Sequence, residues 1–284
     1  MLFRSDLVVV DKRYFVKENY KRKREAVFTA RPSEEQLLQD KTYFRVLSDE
    51  MDGRASYFFN SVLGYHGAIL KRYENLQDSC LFQDVQEFFV DVQQQKIDYS
   101  KYGIINMLNC KYIIFGEQTG QFVLNRGAIG PAWFIRDVVT VNTPTEELAK
   151  VEEIDTRRTA VVDASKFKAP VADYDSTSSI SLTERKPNYM KYEAETQTNN
   201  LAVFSEIYYA EGWSATIDGK EAPILRVNYV LRALEIPAGK HTVEFRFAPK
   251  SYTVGNPITS ASSWLLLVVL VGSIGWGLRK EKQT

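Results

Sequence analysis

The sequence predicts an α+β extracytoplasmic domain followed by an antiparallel β-sandwich and one C-terminal transmembrane helix. Three observations predict it. Apolar stripes at helical spacing mix with short β-prone runs up to residue 163, an alternation of period two runs from residue 189 to 247, and residues 258–278 form an apolar stretch without charge. The last stretch, ITSASSWLLLVVLVGSIGWGL, is 21 residues long. At about 1.5 Å per residue it spans roughly 31 Å as a helix, close to the ~30 Å hydrocarbon core of a bilayer. Arg279, Lys280 and Lys282 follow it, and basic residues beside a span mark its cytoplasmic end. The tail, 279–284, is therefore expected inside and the preceding residues outside. A secretory signal needs an apolar run of about 7–15 residues. The best near the N-terminus is 7–10. An exported region with a final anchor and no export signal is expected to be the C-terminal piece of a longer multi-pass protein.

Composition narrows the classes. Lys and Arg number 36 and so do Asp and Glu, so no global field draws in a polyanion and no nucleic acid partner is expected. The 16 Tyr and 16 Phe suit packed β-structure and sugar-facing surfaces alike. Two histidines argue against a histidine-based metal site, and no metal is expected. Export permits a disulfide between Cys80 and Cys110, but their spacing specifies none.

Residues 1–31 hold nine basic and four acidic side chains around Lys21-Arg22-Lys23-Arg24. They read as a solvated basic connector, with binding to lipid headgroups or nucleic acid as the alternative use of such a run. Residues 32–163 read as one α+β domain. Pro32-Ser33-Glu34-Glu35-Gln36 opens a helix, with Ser33 as cap and Gln36 completing a capping box. Residues 43–47 are a short β-prone run. Val62, Tyr65, Ile69, Tyr73 and Leu76 share a helical face, and Phe82, Val85, Phe89 and Val92 repeat the spacing. Two amphipathic helices joined near Asp78-Ser79-Cys80 are expected. Residues 104–108 give a helical turn, 112–115 a buried strand and 132–141 one further strand. Thr143-Pro144-Thr145-Glu146 starts a helix with a capping threonine and proline first in the helix. Residues 159–162 close the domain.

Residues 164–180, rich in Asp, Ser and Thr, read as a linker, and 181–257 as the sandwich. Residues 189–195 and 201–209 are strand candidates. Trp213, Ala215 and Ile217 alternate with polar neighbours, Asp218-Gly219 signals a type I′ hairpin, and 224–227 returns. Val230, Arg232, Leu234 and Ile236 form the next run, and Pro237-Ala238-Gly239 fits a type I turn. His241, Val243, Phe245 and Phe247 alternate again, with Trp213 and Phe245 assigned to the core. Residues 249–257 link the sandwich to the membrane span, 258–278.

Candidate chemistry is sparse. Asp173-Tyr174-Asp175 has the D-x-D form that holds a divalent metal in nucleotide-sugar transferases, but it lies in the linker without a glycine-rich βαβ unit around it. Glu193 and Glu195 share a strand face about 7 Å apart, a glycosidase-like separation that solvated acids share. His66 and His241 read as hydrogen-bonded residues at the edge of a core rather than bases. No nucleophile motif and no phosphate loop is present, so no catalytic residue and no cofactor is assigned. Tyr65 and His66 on a helix face, and Trp133 beside the Gly130-Pro131 turn, are candidate glycan contacts, with core packing as their other use. In the membrane stretch Ser273 and Gly277 have the small-xxx-small spacing that lets helices approach, and Gly272 and Gly275 add small surface.

Several blocks resemble successive parts of one family. They are Asn60-Ser61-Val62-Leu63-Gly64-Tyr65-His66, Asn106-Met107-Leu108-Asn109-Cys110-Lys111-Tyr112-Ile113-Ile114, and Asn125-Arg126-Gly127-Ala128-Ile129-Gly130-Pro131-Ala132-Trp133-Phe134. Tyr209-Ala210-Glu211-Gly212-Trp213, Ile217-Asp218-Gly219-Lys220, Asn228-Tyr229-Val230-Leu231-Arg232-Ala233 and Pro237-Ala238-Gly239-Lys240-His241 continue the series. Together they resemble the bacterial YfhO family, in the version found in Bacteroidetes. The resemblance implies a large multi-pass protein of the cytoplasmic (inner) membrane, similar to the C-type glycosyltransferases that use lipid-phosphate-linked sugars at the outer membrane face. The catalytic acids of those enzymes lie in an N-terminal loop with no counterpart here, so none is carried over. The implied partners are the lipid bilayer, upstream transmembrane helices of the same protein, and a polyprenyl-phosphate sugar or envelope glycan through the parent. A membrane-anchored glycan- or protein-binding module without enzymatic activity is the alternative. A tail-anchored protein with its bulk in the cytoplasm is a third reading, which the basic tail opposes.

Overall fold

The structure is a computed structural model that describes residues 28–48, 53–64, 67–116, 121–168, 170 and 172–281. The basic run at 21–24 and the candidate contacts Tyr65 and His66 lie outside the described residues.

The first half is helical with two small sheets. Helix α1 (Pro32–Leu38) starts with Pro32 in its first turn, and the Arg31 N–H donates to the Glu34 carboxylate at 2.7 Å. The cap position is thus Arg31, and Ser33 lies inside the helix instead. Strand β1 (Arg45–Ser48) and helix α2 (Arg54–Phe58) follow. The expected helix over 62–76 starts only at Lys71. Gly64 and Gly67 interrupt the stripe, and the Val62 N–H donates to the Val46 carbonyl at 2.9 Å as part of an extended segment. From there α3 (Lys71–Leu76), a π turn (Gln77–Leu81) and α4 (Phe82–Gln93) run on as one helix. The predicted joint at 78–80 is therefore a π turn and not a break. It contains neither glycine nor proline, so the backbone changes face by winding one wider turn.

Helix α5 (Gly103–Met107) leads into β2 (Cys110–Phe115) and β3 (Gln121–Leu124), which with β1 make a sheet in the order β1-β2-β3. Residues 132–141 form two strands rather than one, β4 (Ala132–Phe134) and β5 (Asp137–Val141). Between them the Arg136 and Asp137 N–H groups donate to the Arg158 carbonyl at 2.7 and 3.0 Å, which redirects the chain to a different sheet. Helix α6 (Pro144–Glu153) is capped as its sequence requires, the Thr143 hydroxyl accepting from the Glu146 N–H at 3.2 Å. It crosses to β6 (Thr159–Asp163), which pairs in parallel with β5.

The second half is the sandwich. Its strands are β7 (Ser179–Lys186), β8 (Tyr189–Thr196), β9 (Asn200–Ile207), β10 (Trp213–Ile217), β11 (Lys220–Ala222), β12 (Leu225–Val227), β13 (Leu231–Ile236) and β14 (Gly239–Phe247). One sheet has the order β11-β10-β14-β8-β7 and the other β12-β13-β9-β4, each antiparallel. Asp218 and Gly219 have φ 51° and 79°, as a type I′ hairpin demands. Phe204 sits in the centre between the sheets, with edge-on ring contacts to Tyr192 at 4.9 Å and Phe245 at 4.8 Å. Phe245 is fully buried as expected, while Trp213 is half-buried against the same core.

The four-stranded sheet is buried on both faces. Ala202, Phe204, Leu234 and Ile236 point into the sandwich, whereas Leu201, Val203, Leu231 and Ala233 join a second core with Phe88, Ile105, Met107 and Val161. Cys80 and Cys110 are free, buried thiols of that second core, and burial pushes both up from the ordinary thiol range.

Helix α7 (Lys250–Glu281) covers both the expected membrane span and the segment expected to link to it. Pro257 lies inside it without ending it. The Tyr252 and Thr253 N–H groups close the first turn on the Pro249 carbonyl, two turns before the proline. Lys250–Trp276 is long and apolar enough to cross a membrane, and none of it is buried in the fold. The hydroxyls of Thr259, Ser262 and Ser263 donate to carbonyls four residues back, so an apolar surrounding finds them satisfied.

Candidate functional site

Three of the sequence blocks build defined local structures. Around Asn125, the side-chain amide donates to Asn106 Oδ1 and the Cys110 carbonyl, both at 2.9 Å, while its oxygen accepts from the Gly127 N–H at 2.9 Å. A Cβ on Gly127 would lie 2.6 Å from Asn106 Oδ1 and from the Tyr99 carbonyl, so only glycine fits. The Gly127 carbonyl accepts from Arg157 at 2.8 Å. The outcome is a buried amide knot that presents Arg126 to solvent beside Arg157.

The Asn228-Tyr229 block is a docking loop. Both residues have left-handed backbone, φ 47° and 68°, which costs roughly 1–3 kcal/mol each for non-glycine residues. The surroundings hold them there. Asn228 pairs with Val161 like a strand residue, its N–H donating to the carbonyl at 2.9 Å and its side-chain oxygen accepting the N–H at 2.8 Å. The Tyr229 N–H donates to Glu147 at 3.1 Å. Glu147 is fully buried and also receives Arg72 at 3.1 Å and Arg226 at 3.2 Å. Arg226 lies 3.5 Å from the buried Asp163. Burial alone would push the Asp163 carboxyl up, but hydrogen bonds from Ser165 and the Arg226 charge outweigh it and hold it low. Two arginines meet two acids in this knot, so it locks the loop rather than offering a free charge.

The block 209–213 forms a cleft. Gly212 has φ 95°, and a Cβ on it would lie 2.8 Å from Pro249 Cβ, so glycine lets the end of the sandwich pass close by just before α7 begins. Beside it a cleft of 540 Å³ is lined by Tyr208, Tyr209, Trp213, Glu221, Pro223 and Ile224 among others. Tyr209 is exposed, and the buried Arg232 guanidinium stacks under the Trp213 ring at 4.0 Å. An aromatic wall with hydroxyls and one carboxylate at hand suits a sugar ring. Two further clefts of 340 Å³ each adjoin through Ile129, Arg157 and Arg158. One includes Trp133, Arg136 and Tyr174, the other Arg126 and Asn106.

The family model of the bacterial membrane protein YfhO matches residues 154–259. The similarity to that family covers less than half of the chain. No curated protein and no solved structure matches the chain. The matched segment starts in the loop after α6, covers every sandwich strand except β4, and runs into α7. It thus contains the Tyr209–Trp213 cleft and the Asn228-Tyr229 loop, and it ends within the first turns of the helix that is apolar enough to span a membrane. The match and the helix together support a place in a membrane for this chain.

The residues singled out from sequence are scattered. Trp133 lies on β4, 7% exposed, with its indole N–H donating to the Thr156 carbonyl at 3.2 Å, so only its edge reaches a cleft. Asp175 accepts from the Thr177 and Gln197 N–H groups, at 2.9 and 3.0 Å, and from nearby hydroxyls. These bonds, the Thr177 N–H foremost, hold it down to about 2. It organises its loop, and Tyr174 beside it lines the cleft of Arg136, Arg157 and Arg158. Among the described residues no His, Cys, Asp and Glu side chains gather as a metal-holding group. Glu193 contacts Lys191 at 3.1 Å and Thr242, and Glu195 contacts Lys240 at 3.3 Å, on the open face of the five-stranded sheet. His241 bonds Asp218 at 2.7 Å and is held above its usual value by that partner. Ser273 donates to the Leu270 carbonyl, and Gly277 is helical backbone of α7. The cleft beside α7 was missed because Tyr208, Tyr209 and Trp213 read as strand residues; the glycine at 212 was its one signal.

Proposed function

We propose that this chain is the C-terminal extracytoplasmic region and last span of a larger YfhO-like protein of the bacterial inner membrane. The parent transfers sugar from a lipid-linked donor to a cell-envelope glycan, and this part presents an acceptor surface without supplying the reacting groups. The observation that carries the reading is the position of the aromatic cleft. Trp213 follows Gly212, Gly212 packs on Pro249, and the membrane-length helix starts at the next residue. A sugar held on Tyr209 and Trp213 is therefore close to where the chain meets the bilayer, which is where a lipid-linked sugar has its head. Of the acids singled out from the sequence, Asp175 is engaged in its loop and Glu193 and Glu195 with lysines. Upstream spans of the same protein would cradle the lipid and pack on the helix face of Ser273 and Gly277.

The test has two arms. The detergent-purified chain, incubated with a polyprenyl-phosphate sugar and a membrane extract, transfers no sugar. Turnover abolished by replacing Asp173 or Glu193 would contradict the non-catalytic role. In the second arm envelope oligosaccharide quenches tryptophan fluorescence, and Tyr209→Ala weakens the titration roughly five-fold or more, about the worth of one aromatic contact. Equal binding by wild type and Tyr209→Ala would remove the cleft from the account.

A further inference from the structure

Four arginines from three separate segments line the two adjoining clefts: Arg126, Arg136, Arg157 and Arg158. The backbone brings them together. The Arg136 N–H donates to the Arg158 carbonyl at 2.7 Å, and the Arg157 side chain is oriented by the Gly127 carbonyl at 2.8 Å, next to Arg126. Three other arginines that reach into the fold have close carboxylates: Arg45 meets Glu206 at 2.9 Å, Arg54 meets Glu34 at 2.6 Å and Arg72 meets Glu147 at 3.1 Å, whereas the buried Arg232 bonds the Ile207 carbonyl. In the groove the pattern is reversed. Arg126 and Arg157 have no carboxylate partner among the described residues. Arg158 is 3.7 Å from Asp155 and Arg136 is 3.9 Å from Asp137, both pairs wet and beyond hydrogen-bond length. Asp155 is further occupied, since its carboxylate accepts from the Arg157 N–H at 3.0 Å.

Four like charges gathered against two loosely held carboxylates, Asp155 lining the cleft and Asp137 beside Arg136, repel one another, and an arriving anion relieves that repulsion. Guanidinium forks match the paired oxygens of phosphate, and the aromatic edges of Trp133 and Tyr174 border the same groove. Its size, 340 Å³ for each part, suits one or two sugar rings rather than a long polyanion. We infer that this groove binds the phosphate group of a phosphorylated sugar, with the arginines on the phosphate and the aromatic edge beside the ring. The site is separate in its residues from the Tyr209 cleft, so either can fail without the other.

The test is calorimetric titration of the purified full chain in detergent with glucose 1-phosphate, glycerol 1-phosphate and glucose. Glycerol phosphate stands for a lipid headgroup. Glucose 1-phosphate is expected to bind most tightly, glycerol 1-phosphate less, and glucose least. Arg126→Gln and Arg158→Gln, both exposed side chains, should each weaken glucose 1-phosphate binding about five-fold or more with the melting temperature unchanged. Lys220→Gln, at the distant hairpin, should leave it unaltered. Glucose binding as well as its phosphate, or either arginine variant binding like wild type, overturns the phosphate site. Glycerol 1-phosphate binding as tightly as glucose 1-phosphate overturns the assignment to a sugar and points to a headgroup.

Discussion

The two sheets of the sandwich are made of similar strands in different surroundings. On β8 the buried Met190, Tyr192 and Ala194 alternate with Lys191, Glu193 and Glu195, which face water. On β9 every residue from Asn200 to Ser205 is buried. The outer sheet thus has one core to serve and the inner sheet two, so the inner strands tie the sandwich to the helical half. Each polar group on the inner sheet then needs an internal partner. Arg226 on β12 finds Glu147 on α6 and Asp163 on β6, and the adjoining Asn228-Tyr229 loop docks on the same elements.

The comparison breaks most readily at Phe204, the inner-sheet ring that touches Tyr192 and Phe245. Phe204→Ala should cost about 3–5 kcal/mol and lower the thermal midpoint of both halves together, since β9 is shared. Near-ultraviolet and far-ultraviolet melts would check it. Two separated transitions would mean that the inner sheet does not couple the cores.

Glu147→Ala comes next. It leaves Arg226 and Arg72 without their shared carboxylate and frees the Tyr229 N–H, a loss of roughly 3–5 kcal/mol for a fully buried ion pair, discounted for the part-exposed Arg72. Chemical denaturation reads the loss. A variant as stable as wild type would show the knot to be ornamental to the fold.

A smaller effect lies in the helical half. Burial pushes the Asp84 carboxyl up to about 7, although the N–H groups of Ile104 and Ile105 pull the other way. The folded state therefore keeps a proton that the unfolded chain releases near pH 4. Stability from this group is complete below about pH 4 and is lost as pH rises towards 7. Asp84→Asn should flatten that slope, gaining on the order of 2 kcal/mol relative to wild type between about pH 4 and pH 6. Parallel pH profiles for the two proteins would contradict the raised value.

The smallest change is expected on the outer sheet. Glu193→Ala faces water and loses wet contacts with Lys191 and the Thr242 hydroxyl, so its stability should stay within about 0.5 kcal/mol of wild type. A loss approaching that of Phe204→Ala would mean that the outer face is covered.

The outer sheet was legible in the sequence because water on one face enforces period two, and the Asp218-Gly219 turn fixed its hairpin. The inner sheet was legible as strands but not in its role, since continuous burial carries no periodicity. Strand β7 was missed: it is an edge strand whose Ser179, Ser181, Thr183 and Lys186 are exposed. The π turn at 77–81 was read as a joint because a change of face looks the same in sequence whether the helix breaks or widens. The membrane helix was found from composition, but its two extra turns were not, because Pro257 looked like a terminator. The arginine groove was invisible, since Arg126, Arg136 and Arg157-Arg158 stand apart in the chain and only the backbone bonds at Gly127 and Arg158 gather them.

The central claim is that the sandwich and its cleft stand outside the cytoplasmic membrane while the tail after α7 is inside. Cysteines introduced one at a time at Lys220 and at Gln283, in the intact protein in whole cells, test it with a membrane-impermeant thiol reagent, the two native thiols being buried. The account predicts labelling at position 220 without permeabilisation and at 283 only after it. Labelling at 283 but not at 220 in intact cells would contradict it.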